Sequence, residues 1–174
     1  MKVIKYSDVK GKIRNNFIDK GPEGGIYVDA SKVNIISKNT LKGVKRSGIG
    51  VADSSTAQLV ELNSVTMNDQ ATGIGIQVSW NSKVKTVSKN KVSGKMAYGI
   101  KYDAVLVDST VTGNTLTTKN AAKKLFSPIY VTGSKSKTIT IKDNSVTGNK
   151  SNYGIRLMKG KAVIDGNTIK NTTY

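Results

Sequence analysis

One stretch of the chain decides the fold: NTLKGVKRSGIGVADSSTAQLVELNSV, residues 39–65. An Asn-x-aliphatic unit opens it at Asn39 and returns 24 residues later at Asn63, with a Gly-Ile unit, GIGV (48–51), between them. A third short apolar run, AQLVEL (57–62), follows the Gly-Ile unit. Short segments of alternating or β-branched residues, separated by Gly, Asn, Ser and Lys, are typical of β-strands. This stretch therefore predicts three short strands in each repeat.

The repeat extends along the whole chain. Asn-x-aliphatic units recur at intervals of 23, 24, 27, 24, 30 and 23 residues, at Asn16, Asn39, Asn63, Asn90, Asn114, Asn144 and Asn167. Gly-Ile units or a variant follow in phase, as GIYV (25–28), GIGV (48–51), GIGIQV (73–78), GIKY (99–102), PIYV (128–131) and GIRL (154–157). Such a period predicts an all-β parallel β-helix of about seven coils, each hydrogen-bonded to the next about 4.8 Å along the axis. Helix is disfavoured, because only residues 117–126 show a helical stripe.

The recurring Asn residues are interpreted as structural. A sharp bend between two strands holds one residue per coil near the left-handed region, which Asn tolerates better than most residues. Stacked coils place Asn above Asn, so their side-chain amides are expected to form a ladder. DSTVTGN (108–114) also resembles DNSVTGN (143–149), which would put Ser109 at the ladder position. Asn114 is preferred, because Ser109 would leave only nine residues after Ile100 for two strands and a turn.

Together, these units resemble the repeats of the right-handed parallel β-helix superfamily, the pectate-lyase-like proteins. Similar coils occur in pectate lyases, polygalacturonases, alginate epimerases and lyases, and phage tailspikes. In that superfamily the strand matching Gly-Ile-x-aliphatic commonly forms the floor of a carbohydrate groove. The Asp-Asp and Gly-His-Gly signatures of polygalacturonases and the Asp-Pro-His signature of alginate epimerases are absent from this sequence. No catalytic residue of the superfamily is therefore carried over.

The composition excludes much enzyme chemistry. The sequence has no Cys and no His, which rules out disulfide scaffolds, thiol nucleophiles, imidazole acid–base chemistry and most transition-metal sites. Glycoside hydrolysis needs two carboxylates about 5 or 6.5–9.5 Å apart, and only Asp29 and Asp53 fit that spacing in the expected coils. Calcium sites need more oxygen ligands than these two and Asp103 provide. We therefore expect no catalytic residue, metal or cofactor in this chain.

The net charge indicates an anionic partner. With 28 Lys and Arg against 11 Asp and Glu, the formal net charge is +17. Such a field attracts nucleic acid, anionic lipid or acidic polysaccharide, although it also simply keeps a protein in solution. Only Arg14, Arg46 and Arg156 supply the planar group that reads phosphates and bases, and no nucleic-acid-binding motif is present. The sequence therefore favours a uronate-containing polysaccharide over nucleic acid.

Alternation along the Gly-Ile strands predicts an outer face. The residues expected to point inward are Ile26, Val28, Ile49, Val51, Ile74, Ile76, Ile100, Tyr102, Ile129, Val131, Ile155 and Leu157. The expected outward row is Tyr27, Gly50, Gly75, Lys101, Tyr130 and Arg156, with Asp29, Ala52, Gln77, Asp103, Thr132 and Met158 beside it. Tyr stacks on sugar rings, whereas Lys and Arg bind carboxylates. The predicted ligand-binding residues are Tyr27, Trp80, Lys101, Tyr130 and Arg156; equally, outward strand positions simply favour Tyr and long cations.

The ends of the chain and one insertion complete the prediction. No apolar run approaches a signal peptide or a bilayer span of about 20 residues, and no amphipathic helix covers the first coil, although solenoids need covered ends. We therefore expect residues 1–174 to be one domain from a larger extracellular or cell-surface protein with flanking domains. Within the insertion at 117–127, one apolar face of a short helix is expected, packed on the solenoid or lining the groove, at Ala121, Ala122, Leu125 and Phe126.

Three functions are compatible with these observations. The preferred one is a non-catalytic module that binds acidic polysaccharide on its basic groove face. The alternatives are the terminal coils of a polysaccharide lyase or related enzyme, whose catalytic coils lie elsewhere, and a purely structural spacer.

Overall fold

The computed structural model describes residues 2–5, 8–69, 72–119, 127–151 and 153–172, and every described element is a β-strand. The strands, numbered β1 to β21 in chain order, form three parallel sheets of seven strands, and each sheet takes every third strand. Sheet A contains β1 (Lys2–Lys5), β4 (Gly24–Asp29), β7 (Ser47–Ala52), β10 (Ile74–Val78), β13 (Tyr98–Tyr102), β16 (Ser127–Val131) and β19 (Ile155–Leu157). Sheet B contains β2 (Asp8–Arg14), β5 (Lys32–Ser37), β8 (Thr56–Glu61), β11 (Lys83–Ser88), β14 (Ser109–Thr112), β17 (Thr138–Lys142) and β20 (Lys161–Asp165). Sheet C contains β3 (Phe17–Asp19), β6 (Thr40–Val44), β9 (Ser64–Asn68), β12 (Lys91–Lys95), β15 (Thr115–Thr118), β18 (Ser145–Ser151) and β21 (Thr168–Thr172). The predicted all-β solenoid with three strands per coil is confirmed.

The core lies between the three sheets, and its side chains stack in register from coil to coil. In sheet A one buried row consists of Ile26, Ile49, Ile76, Ile100 and Ile129. Sheets B and C contribute further rows of buried Val, Ile and Leu. Burying one such side chain contributes roughly 1.5–3 kcal/mol. The aliphatic repeat therefore stabilises the solenoid coil by coil.

Close packing between coils explains the Gly of the Gly-Ile unit. A Cβ on Gly48 would lie 2.5 Å from the carbonyl oxygen of Gly75, and a Cβ on Gly75 would lie 2.6 Å from that of Gly99. These Cβ positions also approach aliphatic side chains that sheet C contributes to the core. Only Gly fits a position where two backbones approach so closely. The motif thus marks where one coil of sheet A packs against the next.

This packing also shows that the expectations for Ile74 and Gly75 are wrong. GIGIQV contains two Gly-Ile pairs, and the strand uses the second: Ile76, not Ile74, lies in the buried isoleucine row. Gly75 occupies the close-approach position and faces the core. Ile74 is only partly buried and lies on the outer side, and Gln77 takes the outward position that Gly75 was expected to fill.

Seven Asn side chains form a hydrogen-bonded row at the corner between sheets B and C. The backbone N–H and the side-chain amide of Asn63 both donate to Oδ1 of Asn90, at 3.0 and 2.9 Å. The amide of Asn63 also donates to the carbonyl oxygen of Ile36 at 2.9 Å. Equivalent bonds join Asn16, Asn39, Asn63, Asn90, Asn114, Asn144 and Asn167. Asn114, rather than Ser109, therefore occupies the corner of its coil.

The left-handed residue at this corner is the one before each Asn. A φ of 54–64° occurs at Asn15, Lys38, Leu62, Lys89, Gly113, Asp143 and Gly166. The expectation that the Asn of the motif itself adopts this conformation is wrong. Its side chain instead satisfies backbone groups that the sharp bend leaves without strand partners. The conformational cost of the bend falls on the preceding residue.

A second polar row lies at the corner between sheets A and B. The N–H of Ser31 donates to Oγ of Ser55 at 3.0 Å, and the N–H of Ser55 donates to Oγ of Ser82 at 3.1 Å. All three residues are buried. Sequence alone did not suggest this row, although a Ser directly precedes β5, β8 and β11.

Two further expectations concern helices. Ala121, Ala122, Leu125 and Phe126 lie outside the described residues, and so does the short helix predicted for them, whereas Thr117 and Thr118 of the predicted helical stretch belong to β15 and Ser127 belongs to β16. Within the part of the chain that the structure describes, no helix has the length and apolar character needed to cross a membrane.

Candidate functional site

The outer face of sheet A carries one side-chain position per coil in a continuous row. Backbone pairing aligns Tyr27, Gly50, Gln77, Lys101, Tyr130 and Arg156 on β4, β7, β10, β13, β16 and β19. Four of the five predicted ligand-binding residues share this outer row. The fifth, Trp80, follows the end of β10 by two residues. At about 4.8 Å per coil, the row spans roughly 24 Å.

The C-terminal half of the outer row belongs to an aromatic–cationic cluster of Tyr98, Lys101, Tyr130, Tyr153 and Arg156. The Lys101 ammonium lies 5.4 Å from the centre of the Tyr98 ring and 5.9 Å from that of Tyr130. The Arg156 guanidinium lies 5.8 Å from the centre of the Tyr130 ring and 5.1 Å from that of Tyr153. Cations within about 6 Å of a ring centre are attracted to the ring face. Rings and cations of the cluster therefore hold one another in place.

Sequence reasoning missed Tyr98 and Tyr153, which complete the cluster. The two rings nearest the middle, Tyr98 and Tyr130, have centres 5.0 Å apart and planes inclined by 54°. Tyr98 and Tyr153 each directly precede a Gly-Ile pair. The tripeptide Tyr-Gly-Ile was the signal that would have found them.

The two cations of the cluster differ in their surroundings. Lys101 Nζ lies 2.6 Å from Oδ1 of Asp103, and these side chains are 21% and 33% exposed. Arg156 has no ion pair with any residue that the structure describes. Its charge is therefore more available to a ligand than that of Lys101.

The N-terminal half of the outer row borders a cleft of about 400 Å³, here called the Trp80 cleft. Its lining includes Tyr27, Arg46, Ser47, Ile74, Gln77 and Trp80. Oγ of Ser47 donates to Oε1 of Gln77 at 2.9 Å, which joins two neighbouring coils in the lining of the cleft. The Arg46 guanidinium lies 3.1 Å from a carboxylate oxygen of Glu23, another lining residue. The Trp80 cleft therefore combines two aromatic side chains with polar groups that already pair with each other.

The pKa of Tyr27, which lines the Trp80 cleft, is affected by burial and by two nearby carboxylates. Burial raises the pKa of Tyr27, and the charges of Asp53 and Asp29 raise it further, against an opposing effect of Arg46. Tyr27 therefore keeps its proton at neutral pH and remains a hydrogen-bond donor.

The described residues contain no group of three or more His, Cys, Asp or Glu side chains arranged to hold a metal ion.

The molecule is a repeat solenoid whose sheet A carries aromatic and cationic side chains on its outer face. A family model described as a right handed beta helix region matches residues 3–116, which is more than half of the chain. The chain therefore belongs to the right-handed beta helix family, and the resemblance stated from its repeats is confirmed. No curated protein and no solved structure matches it.

Proposed function

We propose that this protein is a non-catalytic module of a secreted or cell-surface protein that binds a uronate-containing polysaccharide on the outer face of sheet A. Arg156 carries the proposal, because its guanidinium lies against the rings of Tyr130 and Tyr153 and has no carboxylate partner among the described residues. A guanidinium binds a carboxylate through two parallel hydrogen bonds. A neighbouring Tyr ring offers an apolar surface to the sugar. Arg156 and Tyr130 thus supply both groups that one uronate residue requires.

The arrangement of the cluster supports a chain-like ligand. Lys101, Tyr130 and Arg156 occupy three consecutive coils of one row, so roughly 10 Å separates the first from the last. That distance suits two or three sugar units along the solenoid axis. The net charge of +17 also attracts a polyanion over long range.

The test measures oligogalacturonate binding by calorimetry to the parent protein and to Lys101→Ala/Arg156→Ala. Measurements at about 0.01 M and about 0.15 M ionic strength cover Debye lengths of roughly 30 to 8 Å. We expect binding that weakens with salt and is largely lost in the double variant. The single change Arg156→Ala should weaken binding by up to about tenfold, or about 1.4 kcal/mol. The melting temperature should barely change, because neither side chain belongs to the core.

A matched control removes the same charge from another face. Lys32 and Lys83 are exposed on sheet B, and Lys32→Ala/Lys83→Ala should bind within about twofold of the parent protein. Equal losses in both double variants would show that net charge alone attracts the ligand, and would overturn the assignment to sheet A. Unsaturated products released from pectate or alginate, seen by their ultraviolet absorbance, would contradict a non-catalytic role and indicate a lyase.

A further inference from the structure

We infer that the Trp80 cleft binds an uncharged sugar residue, so that the ligand is a heteropolysaccharide containing both neutral pyranoses and uronates. This inference rests on the proposed function for its uronate half. It divides the outer face of sheet A into two subsites, whereas the sequence analysis grouped Tyr27 and Trp80 with the cationic residues in one ligand-binding face.

The charges around the Trp80 cleft argue against a second uronate there. Arg46, the cation in its lining, already pairs with Glu23 at 3.1 Å. Besides burial, the charges of Asp53 and Asp29 raise the pKa of Tyr27, because they oppose a negative charge at its hydroxyl group. A carboxylate placed beside Tyr27 would meet the same repulsion. An uncharged sugar avoids it and still accepts the hydroxyl proton of Tyr27.

The shape of the Trp80 cleft suits a flat, partly apolar ring. Trp80 is 62% exposed and Tyr27 only partly buried. The Tyr27 ring packs over Gly50, where a Cβ would lie only 2.5 Å from a ring carbon. Gly50 therefore lets the Tyr27 ring lie against the sheet. The volume of about 400 Å³ lies within the range of about 300–1,000 Å³ typical of small-molecule sites.

The backbone at Trp80 is a second sign that its position is maintained at some cost. Trp80 has φ 49° and Asn81 has φ 60°, so two consecutive residues are left-handed. Ala30 and Asp53 begin the equivalent turns of two earlier coils with φ 47° and 54°. The turn is thus a property of the fold, but a large side chain in it is unfavourable. An exposed Trp at this turn does not help the fold, which agrees with a role in binding.

The two subsites lie along one ligand path. Gly50, over which the Tyr27 ring of the Trp80 cleft packs, and Tyr130, in the aromatic–cationic cluster, are three coils apart in the same row. Three coil steps correspond to about 14 Å. One oligosaccharide of a few residues can therefore reach both subsites.

The experiment uses Trp80 as its own reporter, because it is the single Trp of the chain. Neutral gluco-, galacto-, manno- and xylo-oligosaccharides are titrated against the intact protein while Trp fluorescence is followed. We expect at least one of them to shift the emission, with an affinity that changes less than about twofold between low and moderate salt. No shift with any of the four would overturn the inference, while oligogalacturonate binding at Arg156 would still stand.

Variants then separate the two subsites by calorimetry. Trp80→Ala should weaken the neutral oligosaccharide at least about fivefold and oligogalacturonate less than twofold, and Arg156→Ala should do the reverse. Phe17→Ala removes a comparably exposed aromatic side chain, 64% exposed on sheet C, and should change neither affinity. Loss of both ligands in Trp80→Ala, with an unchanged melting temperature, would show a single subsite and contradict the inference.

Discussion

Two regions of this solenoid use the repeat in opposite ways. At the corner between sheets B and C every coil presents the same residue, Asn, and each side chain bonds to the next. Along the outer row of sheet A no two neighbouring coils share a residue. Coils touch each other at the first position and face outward at the second. Repetition therefore marks positions set by coil-to-coil contact, and variation marks positions open to a ligand-specific role.

Interrupting the Asn row should have the largest effect on stability. Asn90→Ala removes the acceptor for the N–H and amide of Asn63 and the donor to the carbonyl oxygen of Val60. Each buried polar group left without a partner costs about 1–3 kcal/mol, so we expect a loss of roughly 3 kcal/mol or more in urea unfolding. Asn68→Ala, at an exposed position of β9, is the matched control and should change stability by less than about 0.5 kcal/mol. Similar losses in both variants would refute the structural role of the row.

An inner Tyr of sheet A should make the protein sensitive to alkali. Tyr102 is fully buried and its pKa is raised well above the ordinary value, mainly by burial. Tyr in the unfolded chain ionises near pH 10, whereas folded Tyr102 stays protonated at that pH. The contribution of Tyr102 to the free energy of unfolding is therefore complete below about pH 10 and is lost as the pH rises further. Above that pH, this group lowers the free energy of unfolding by about 1.4 kcal/mol per pH unit. Unfolding free energies at roughly pH 9 and pH 11 should therefore diverge less in Tyr102→Phe than in the parent protein, and equal divergence would contradict this account.

Replacing a left-handed residue at the Asn corner by Gly should change the free energy of unfolding by a smaller amount, and the change should be stabilising. Leu62 precedes Asn63 with φ 54° and is 44% exposed. Leu62→Gly relieves the strain of a left-handed residue, and we expect a gain of up to about 1 kcal/mol. The mirror variant is Gly113→Ala, where φ is 64° and a Cβ has room, since its nearest contact is 3.7 Å away. It should lose about as much; a loss in both variants would mean that side-chain packing, not backbone strain, governs this corner.

The smallest effect concerns binding on the outer row. Asp103→Asn removes the partner of Lys101, which frees an ammonium group for the ligand. We expect oligogalacturonate to bind about two- to threefold more tightly. Asp19→Asn makes the same charge change at an exposed position of sheet C and should leave the affinity unchanged. An equal gain in both variants would trace the effect to net charge.

The sequence predictions also differ in accuracy between the Asn corner and sheet A. Asn114 was assigned correctly over Ser109, because the interval between repeats restricts where a corner lies. The expectation that both Ile74 and Ile76 point inward failed for Ile74, because both follow a Gly and period-2 alternation treats them alike. Backbone contact with the neighbouring coil places Gly75 at the close approach, and Ile76 alone of the two Ile residues lies in the buried row. The Gly-Ile unit marks such contacts, but GIGIQV contains it twice, so this repeat by itself does not single out the Gly at the close approach.

The sequence by itself determined the solenoid, its three strands per coil and the residues that recur in register, because each coil repeats the same contacts with its neighbours. Only the tertiary structure decided which residue takes the left-handed conformation, that Tyr98 and Tyr153 join Lys101 and Arg156, and that Asp103 pairs with Lys101. The pairs Lys101–Asp103, Lys101–Tyr98 and Arg156–Tyr153 each lie within one coil, and Tyr130 links the coils through its contacts with Lys101 and Arg156. Whether such side chains meet depends on distances of a few ångströms, which the repeat pattern does not contain. A linear pattern fixes the register of such residues, but the twist and packing of the sheets decide which of them touch.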